Sequence, residues 1–180
     1  VFGLCAVAMI GIMVYFSCID TKTDLGSFER IIRFNDIWGT HRGFMWIRSI
    51  WIFGDASFIE KLFGVGPDMF YSAFSPYFDD LSKYGDSSTN AAHNEYLNYL
   101  ITIGITGLLS YLAIVCGTIK NAVKYAKENP MLIACVSAVI CYAVQSVVNL
   151  YQPITTPLFF ILIDLFEALV RNATAEKSPV

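Results

Sequence analysis

Charged residues are scarce in this sequence, and their scarcity argues against most water-soluble folds. Asp, Glu, Lys and Arg together make up 15% of the 180 residues, whereas hydrophobic residues make up 56%. An average soluble domain carries roughly 25% charged residues. A chain with so few polar side chains cannot cover the surface of an ordinary globular protein, so the composition favours a membrane protein.

Patterns typical of nucleic-acid binding, zinc binding and disulfide frameworks are also missing. The formal net charge is −3 and no stripe of Lys and Arg occurs, so no nucleic-acid partner is expected. The five cysteines form no Cys-x-x-Cys pair and no Cys/His ligand spacing. Four of them lie inside apolar runs, which favours buried, reduced thiols over a zinc site or a set of disulfides.

What the sequence does contain is a series of long apolar runs. They predict transmembrane helices over residues 1–19, 93–119, 131–150 and 154–170, the last of which carries Asp164 and Glu167 near its end. The predicted fold is therefore an all-α integral membrane protein with four transmembrane helices. Because the chain starts at Val1 inside an apolar run, we expect an upstream part, without which this segment alone is not active.

Lysine and arginine positions set the predicted orientation. Lys120, Lys124 and Lys127 lie between the second and third runs, and Arg171 and Lys177 follow the fourth. The positive-inside rule places the loop 120–130 and the tail 171–180 in the cytoplasm. With four crossings, the long segment 20–92 and the short turn 151–153 then face outward.

The long extracytoplasmic loop is expected to be partly helical and folded against the membrane. It contains all three tryptophans and both histidines, and its apolar stretch 43–53 predicts a short interfacial helix. The pair Gly64 and Gly66, followed by a proline, predicts a turn. The cluster Ser87-Ser88-Thr89-Asn90 predicts a helix start capped by Asn90, which would place His93 in the first turn.

Arginines in this loop are candidate phosphate ligands. Arg42 and Arg48 lie six residues apart, and a guanidinium binds phosphate oxygens through two parallel hydrogen bonds while staying charged. A lipid-linked diphosphate at the outer membrane surface would suit them. The alternative for both is a role as interfacial anchors, and that interpretation is favoured for Arg30 and Arg33.

His93 is the candidate base. A helix N-terminus disfavours the imidazolium form, so a neutral histidine there could accept a proton from a hydroxyl group. A purely structural hydrogen bond is the alternative. His41 has the same two interpretations with less context.

Three motifs together resemble the O-antigen ligase and O-antigen polymerase family. The stretch Arg42-Gly43-Phe44-Met45-Trp46 is similar to its Arg-x-x-x-Trp signature, and the stretch 64–70 is similar to its Gly-x-Gly-x-x-x-Phe element. The third motif, His93-Asn94-Glu95-Tyr96-Leu97 followed by Gly104-Ile105-Thr106-Gly107, resembles its His-Asn-x-x-Leu and glycine pattern. The resemblance extends over residues 38–112 and, more loosely, 145–162.

The resemblance implies a glycosyltransferase of the bacterial cytoplasmic membrane that needs no metal, cofactor or nucleotide sugar. Its donor would be a glycan on undecaprenyl diphosphate, and its acceptor the hydroxyl of a glycan or lipid. Arg42 and Arg48 would hold the diphosphate and His93 would act as general base. The same resemblance implies substrate contacts at Trp46, Asn94, Gly64 and Gly66.

Several alternatives stay open at the level of sequence. The acceptor could be a lipid A core sugar, a growing polysaccharide or a protein. A transporter or flippase of lipid-linked glycans would also be apolar and handle diphosphates, but its polar groups would lie near the bilayer midplane. The polar cluster of this sequence lies in the outer loop, which favours the enzyme over a transporter or a non-catalytic scaffold.

Overall fold

The computed structural model describes residues 2–125 and 129–175, and within these ranges every regular element is a helix. The predicted all-α class is therefore confirmed. Lys127 and Lys177, which belong to the predicted cytoplasmic segments, lie outside the described residues. So does Val1 at the start of the first predicted span.

The N-terminal part consists of one apolar helix and a set of short helices. Helix α1 spans Phe2–Val14 and continues as a π-helical turn, Tyr15–Ile19. The following segment holds α2 (Glu29–Ile32), α3 (Trp38–Asp55), α4 (Phe58–Phe63), α5 (Phe70–Phe74) and α6 (Phe78–Ser82). The side chain of Arg33 ties this segment to the end of the first helix, because it donates to the backbone oxygens of Phe16 and Thr23 at 3.1 and 2.7 Å.

The C-terminal part is a bundle of longer helices. It comprises α7 (Glu95–Thr102), α8 (Gly104–Tyr125), α9 (Pro130–Gln145) and α10 (Thr155–Ala175). Among the described residues, one helix, Gly104–Tyr125, is long and apolar enough to cross a membrane, and two shorter apolar helices cover Val7–Ile19 and Pro130–Gln145. The four-span arrangement therefore stays a prediction.

The predicted continuous span 93–119 is interrupted in the structure. Helix α7 ends at Thr102, and Gly104 adopts a left-handed φ of 69° before α8 begins. The residues on both sides of this break are apolar, so hydropathy alone predicts one continuous helix. The break lets α7 pack back against α8, where the ring of Tyr99 lies 5.0 Å from that of Tyr111.

The predicted helix cap at Asn90 is wrong. The cap is Asn94, whose side chain accepts a hydrogen bond from the backbone N–H of Leu97 at 3.0 Å. The residues before it are not helical: Ala91 and Ala92 lie in the protein core, and His93 has a left-handed φ of 50°. His93 consequently lies one residue before the cap and outside the first turn.

We call residues 20–94 the outer segment, after their predicted position. The structure has separate hydrophobic clusters for the outer segment and for the bundle. Phe44, Phe70 and Phe74 form the centre of the first cluster, together with residues of α6 and α7. Tyr111, Val139 and Phe159 form a cluster that joins α8, α9 and α10. Helix α7 contributes to both, since Ile101 belongs to the first and Tyr99 packs against the second. It therefore fixes the outer segment on the bundle.

Candidate functional site

Helix α3 presents Arg42 at the start of its regular part. Gly39, Thr40 and His41 have left-handed φ angles of 58°, 61° and 68°, and right-handed helix begins after them. Within the described residues, the guanidinium of Arg42 forms no ion pair. Its charge is therefore available to an anion, at a helix end whose backbone dipole also favours negative charge.

Arg48 is held by its neighbours. It forms a two-pronged ion pair with Asp36, in which its second nitrogen lies 2.8 Å from Oδ2, and it stacks on the ring of Phe44 at 4.0 Å. Six residues turn a helix through 600°, so Arg48 points roughly 120° away from Arg42. The structure thus separates the two predicted arginines and gives Arg48 an internal partner that sequence analysis missed.

His93 occupies a strained backbone position. Its φ is 50°, in the left-handed region that non-glycine residues rarely adopt. A non-glycine residue in this conformation costs about 1–3 kcal/mol of folding free energy, and such residues often occur at functional sites. The half-buried imidazole forms no side-chain hydrogen bond with any described residue. The imidazole is therefore available to bind a ligand.

The surroundings of His93 favour its neutral form. Burial lowers the pKa of the imidazole, and the positive charge of Arg42 lowers it further, whereas the carboxylate of Asp86 raises it. Sequence analysis expected a neutral histidine from the helix N-terminus. The structure instead gives desolvation as the main cause of the lowered pKa.

A cavity of about 500 Å³ opens beside His93. Its polar wall consists of Asp86, Ser88, Thr89 and Asn90, and its apolar wall includes Met45. Met45 lies one turn after Arg42 on α3, so both side chains are on the same face of the helix. We call this space the His93 cavity. Its polar wall is the serine and asparagine cluster that sequence analysis had interpreted as a helix cap.

Two of the predicted substrate-binding side chains have structural partners. Trp46 packs in an aromatic group with Trp38 and Phe34, at ring distances of 5.1 and 6.1 Å. Asn94 is buried and caps α7. Neither residue is among those that line the His93 cavity, so their contact with substrate stays a prediction.

Gly64 and Gly66 lie against the break between α7 and α8. The backbone N–H groups of Val65 and Gly66 donate to the oxygens of Ile101 and Thr102, both at 3.0 Å. Gly64 has a φ of 77°, and a Cβ atom there would collide with the backbone of Thr102. The glycine turn therefore docks the outer segment onto the bundle, and its predicted substrate contact is untested.

Glu95 is a buried residue that the sequence analysis did not single out. Its side chain is 1% exposed and accepts hydrogen bonds from Tyr99 at 2.8 Å and from Ser146 at 2.7 Å. Its backbone N–H donates to the oxygen of Ser146 at 2.9 Å. These contacts anchor the start of α7 on the end of α9 and so fix the position of His93, two residues earlier.

Within the part of the chain that the structure describes, no group of three or more His, Cys, Asp or Glu side chains is arranged to hold a metal ion. The groups that the structure places at and near the His93 cavity are the guanidinium of Arg42, the imidazole of His93 and the polar cavity wall.

Comparison with known proteins gives one family. A family model described as O-Antigen ligase matches residues 1–112, which include α1, the outer segment, α7 and the start of α8. No curated protein and no solved structure matches the chain.

Proposed function

Because the chain belongs to the O-antigen ligase family, whose members are membrane-associated and glycosyltransferase-like, we propose that it moves a glycan from undecaprenyl diphosphate to an acceptor hydroxyl. The reaction takes place at the outer face of the bacterial cytoplasmic membrane. The observation that supports this most strongly is that His93 lines a polar cavity together with Met45, which lies one turn after Arg42 on α3. Within the described residues neither the His93 imidazole nor the Arg42 guanidinium has a side-chain partner, and the charge of Arg42 acts on His93.

Arg42 binds the diphosphate of the donor in this proposal. Its free guanidinium can form two parallel hydrogen bonds to phosphate oxygens, which strengthen as negative charge develops on the departing diphosphate. Arg48 is the second predicted ligand. Since its guanidinium already binds Asp36, we assign it mainly to holding α3 in place, and it contributes to the diphosphate site through its charge.

His93 removes the proton of the acceptor. The hydroxyl oxygen attacks the anomeric carbon, a new C–O bond forms, and the bond from that carbon to the diphosphate oxygen breaks. The proton passes to the imidazole of His93, and the carrier diphosphate leaves with the electron pair. A lowered pKa keeps the imidazole in the neutral form that this step requires. A single displacement inverts the configuration at the anomeric carbon.

The arrangement relative to the membrane supports an outward-facing site. Helix α8 has 22 residues and is therefore about 33 Å long, which matches a hydrocarbon core of about 30 Å. Lys120 and Lys124 lie in the last two turns of α8. At the other end of α8, the hydroxyl of Thr106 donates to the backbone oxygen of Leu62 in the outer segment at 2.7 Å. If the lysines face the cytoplasm, the outer segment faces the other side.

The position of the polar groups also favours an enzyme over a transporter or flippase. Arg42, His93 and Asp86 lie in the outer segment, before α7 and α8 begin. Transporters of lipid-linked glycans would place such groups midway along the spanning helices. Ligation to lipid A core, polymerisation and protein glycosylation all use the same transfer step, and the proposal covers that shared step.

Replacement of Arg42 tests the proposal. Arg42→Ala in the full-length protein is expected to lower glycan transfer on the order of 10²-fold, because a charge-assisted contact to the developing anion is lost. Arg42→Lys is also expected to be impaired, since lysine keeps the charge but lacks the two-pronged geometry. Transfer is measured with purified protein and a lipid-linked glycan.

Arg30 provides a matched control, because it is an exposed arginine of the same segment. Arg30→Ala is expected to transfer at the wild-type rate. A well-expressed Arg42→Ala protein with wild-type transfer would remove Arg42 from the site.

A further inference from the structure

A second cavity lies next to the His93 cavity and shares Asn90 with it. It has a volume of about 320 Å³ and is enclosed by the glycine turn, α7 and the start of α10. We call it the Tyr151 cavity after the aromatic residue at its rim. Pro67, Asp68 and Phe70 of the stretch 64–70 line it, and the proposed roles of Arg42 and His93 do not use it.

Asn98 contributes a hydrogen-bond donor to this cavity. Its side chain is only 5% exposed, and its Oδ1 accepts from the backbone N–H of Ala92 at 3.4 Å. Within the described residues its Nδ2 has no hydrogen-bond partner, although Asn98 lines the cavity. The Nδ2 group is therefore available to donate a hydrogen bond to a ligand oxygen in the cavity.

Two further polar side chains line the cavity without partners. Asp68 and Asn90 are exposed, and neither side chain accepts or donates a hydrogen bond within the part of the chain that the structure describes. A carboxylate accepts hydrogen bonds from neighbouring hydroxyl groups, and an amide both donates and accepts. Together with Asn98 they match the alternating donors and acceptors of a sugar ring.

Aromatic rings supply the apolar part of the same cavity. Tyr151 is 39% exposed and Tyr99 is held in place because its hydroxyl donates to Glu95 at 2.8 Å. An aromatic face packs well against the C–H face of a pyranose, while the hydroxyl groups at the ring edge need polar partners. The Tyr151 cavity offers both kinds of contact within a space of sugar size.

We propose that the Tyr151 cavity is a subsite for one sugar ring of the acceptor glycan, an assignment that rests on the proposed transfer reaction. The donor diphosphate belongs on the side of Arg42 and the His93 cavity. A direct displacement requires the acceptor to approach from the opposite side of the anomeric carbon. Because Asn90 lines both cavities, a sugar in the Tyr151 cavity lies next to the His93 cavity, and its hydroxyl group would reach towards His93.

Sugar binding without donor tests this subsite. The full-length protein in detergent is mixed with the methyl glycosides of glucose, galactose and N-acetylglucosamine, and saturation-transfer NMR detects binding. We expect a signal from the wild type and from His93→Ala. Tyr151→Ala and Asp68→Asn should each weaken it about tenfold, because one removes the aromatic face and the other a charge-assisted acceptor.

Phe58→Ala is the matched control, since Phe58 is an aromatic residue of the outer segment that is 76% exposed and lies outside both cavities. It should leave the signal unchanged. In the transfer assay, Tyr151→Ala should raise the KM for the acceptor about tenfold and leave the KM for the donor unchanged.

The two proposals fail in different ways. The subsite is overturned if the wild type transfers glycan but gives no sugar signal. It is also overturned if the wild type is active and both Tyr151→Ala and Asp68→Asn keep the full signal. A wild-type protein that binds the glycosides through Tyr151 but transfers no glycan contradicts the proposed function instead.

Discussion

His93 lies between one charge that lowers the pKa of its imidazole and another that raises it. Burial disfavours the imidazolium most, the charge of Arg42 disfavours it further, and the carboxylate of Asp86 favours it. Sequence analysis could identify His93 through its motif but not Asp86, because the approach of these two side chains depends on the loop between α6 and α7. Similarly, only the fold shows that Arg48 binds Asp36 and that Arg42 has no ion-pair partner among the residues that the structure describes.

This balance predicts the pH dependence of kcat/KM. Because the pKa of His93 is lowered, the acid limb of the profile should have its midpoint below the ordinary value of about 6.5. Asp86→Asn removes the charge that stabilises the imidazolium, so the midpoint should move to lower pH. Asp79→Asn, a change at an exposed carboxylate of the same segment, should leave it in place. A profile that shifts upward in Asp86→Asn contradicts this electrostatic account.

At the scale of helices, the glycine contact between the α4 turn and the α7–α8 break determines how the outer segment sits on the bundle. A Cβ atom at Gly104 would lie 2.6 Å from the backbone nitrogen of Gly64, and Gly104 has a left-handed φ. The sequence predicted a turn at Gly64 and Gly66. It could not show that this turn docks on Gly104, because the contact joins segments about 40 residues apart.

Gly104→Ala should therefore destabilise the protein. The left-handed backbone alone costs about 1–2 kcal/mol for a non-glycine residue, and the steric clash adds to it. Gly117→Ala is the matched control in the same helix, because a Cβ atom there meets no other atom within 4 Å. Thermal unfolding of the full-length protein in detergent should show a lower Tm for Gly104→Ala alone. Equal Tm values for the two variants would mean that the close contact does not form.

The helix boundaries show where sequence signals are sufficient and where they are not. The stretch 43–53, apolar around a single arginine, falls within α3 as expected. The sequence predicted a cap at Asn90, whereas the structure has the same residue type, Asn94, in that role. In the structure the helix starts after Asn94: Ala91 and Ala92 are buried before it, and the backbone N–H of Glu95 donates to the backbone oxygen of Ser146. The position of the helix start therefore depends on a contact with the end of α9, more than 30 residues away along the chain.

At the scale of the whole molecule, apolar side chains cover the outer faces of the longer helices. Leu109, Val144 and Ile161 are examples of residues that are more than half exposed in the isolated chain. Such surfaces are unfavourable in water and suit a lipid or protein environment. Composition was sufficient to predict this feature, because it depends on the total amount of apolar surface and not on specific contacts.

The predicted orientation is tested by cysteine labelling in a cysteine-free background. Ser82→Cys should react with a membrane-impermeant maleimide in cells whose inner membrane is intact, because it lies in the outer segment. Val123→Cys, in the last turn of α8, should react only after that membrane is opened. The reverse pattern would place the site in the cytoplasm and exclude a periplasmic acceptor.

The central claim is that His93 acts as the base for glycan transfer, and the rate of a single turnover by His93→Gln tests it most directly. Glutamine keeps a hydrogen-bonding side chain but cannot accept the proton as an imidazole does. We predict a rate lowered about 10²- to 10⁴-fold with unchanged binding of the lipid-linked donor. A His93→Gln enzyme that transfers glycan at the wild-type rate would contradict the account, because the histidine would then be structural.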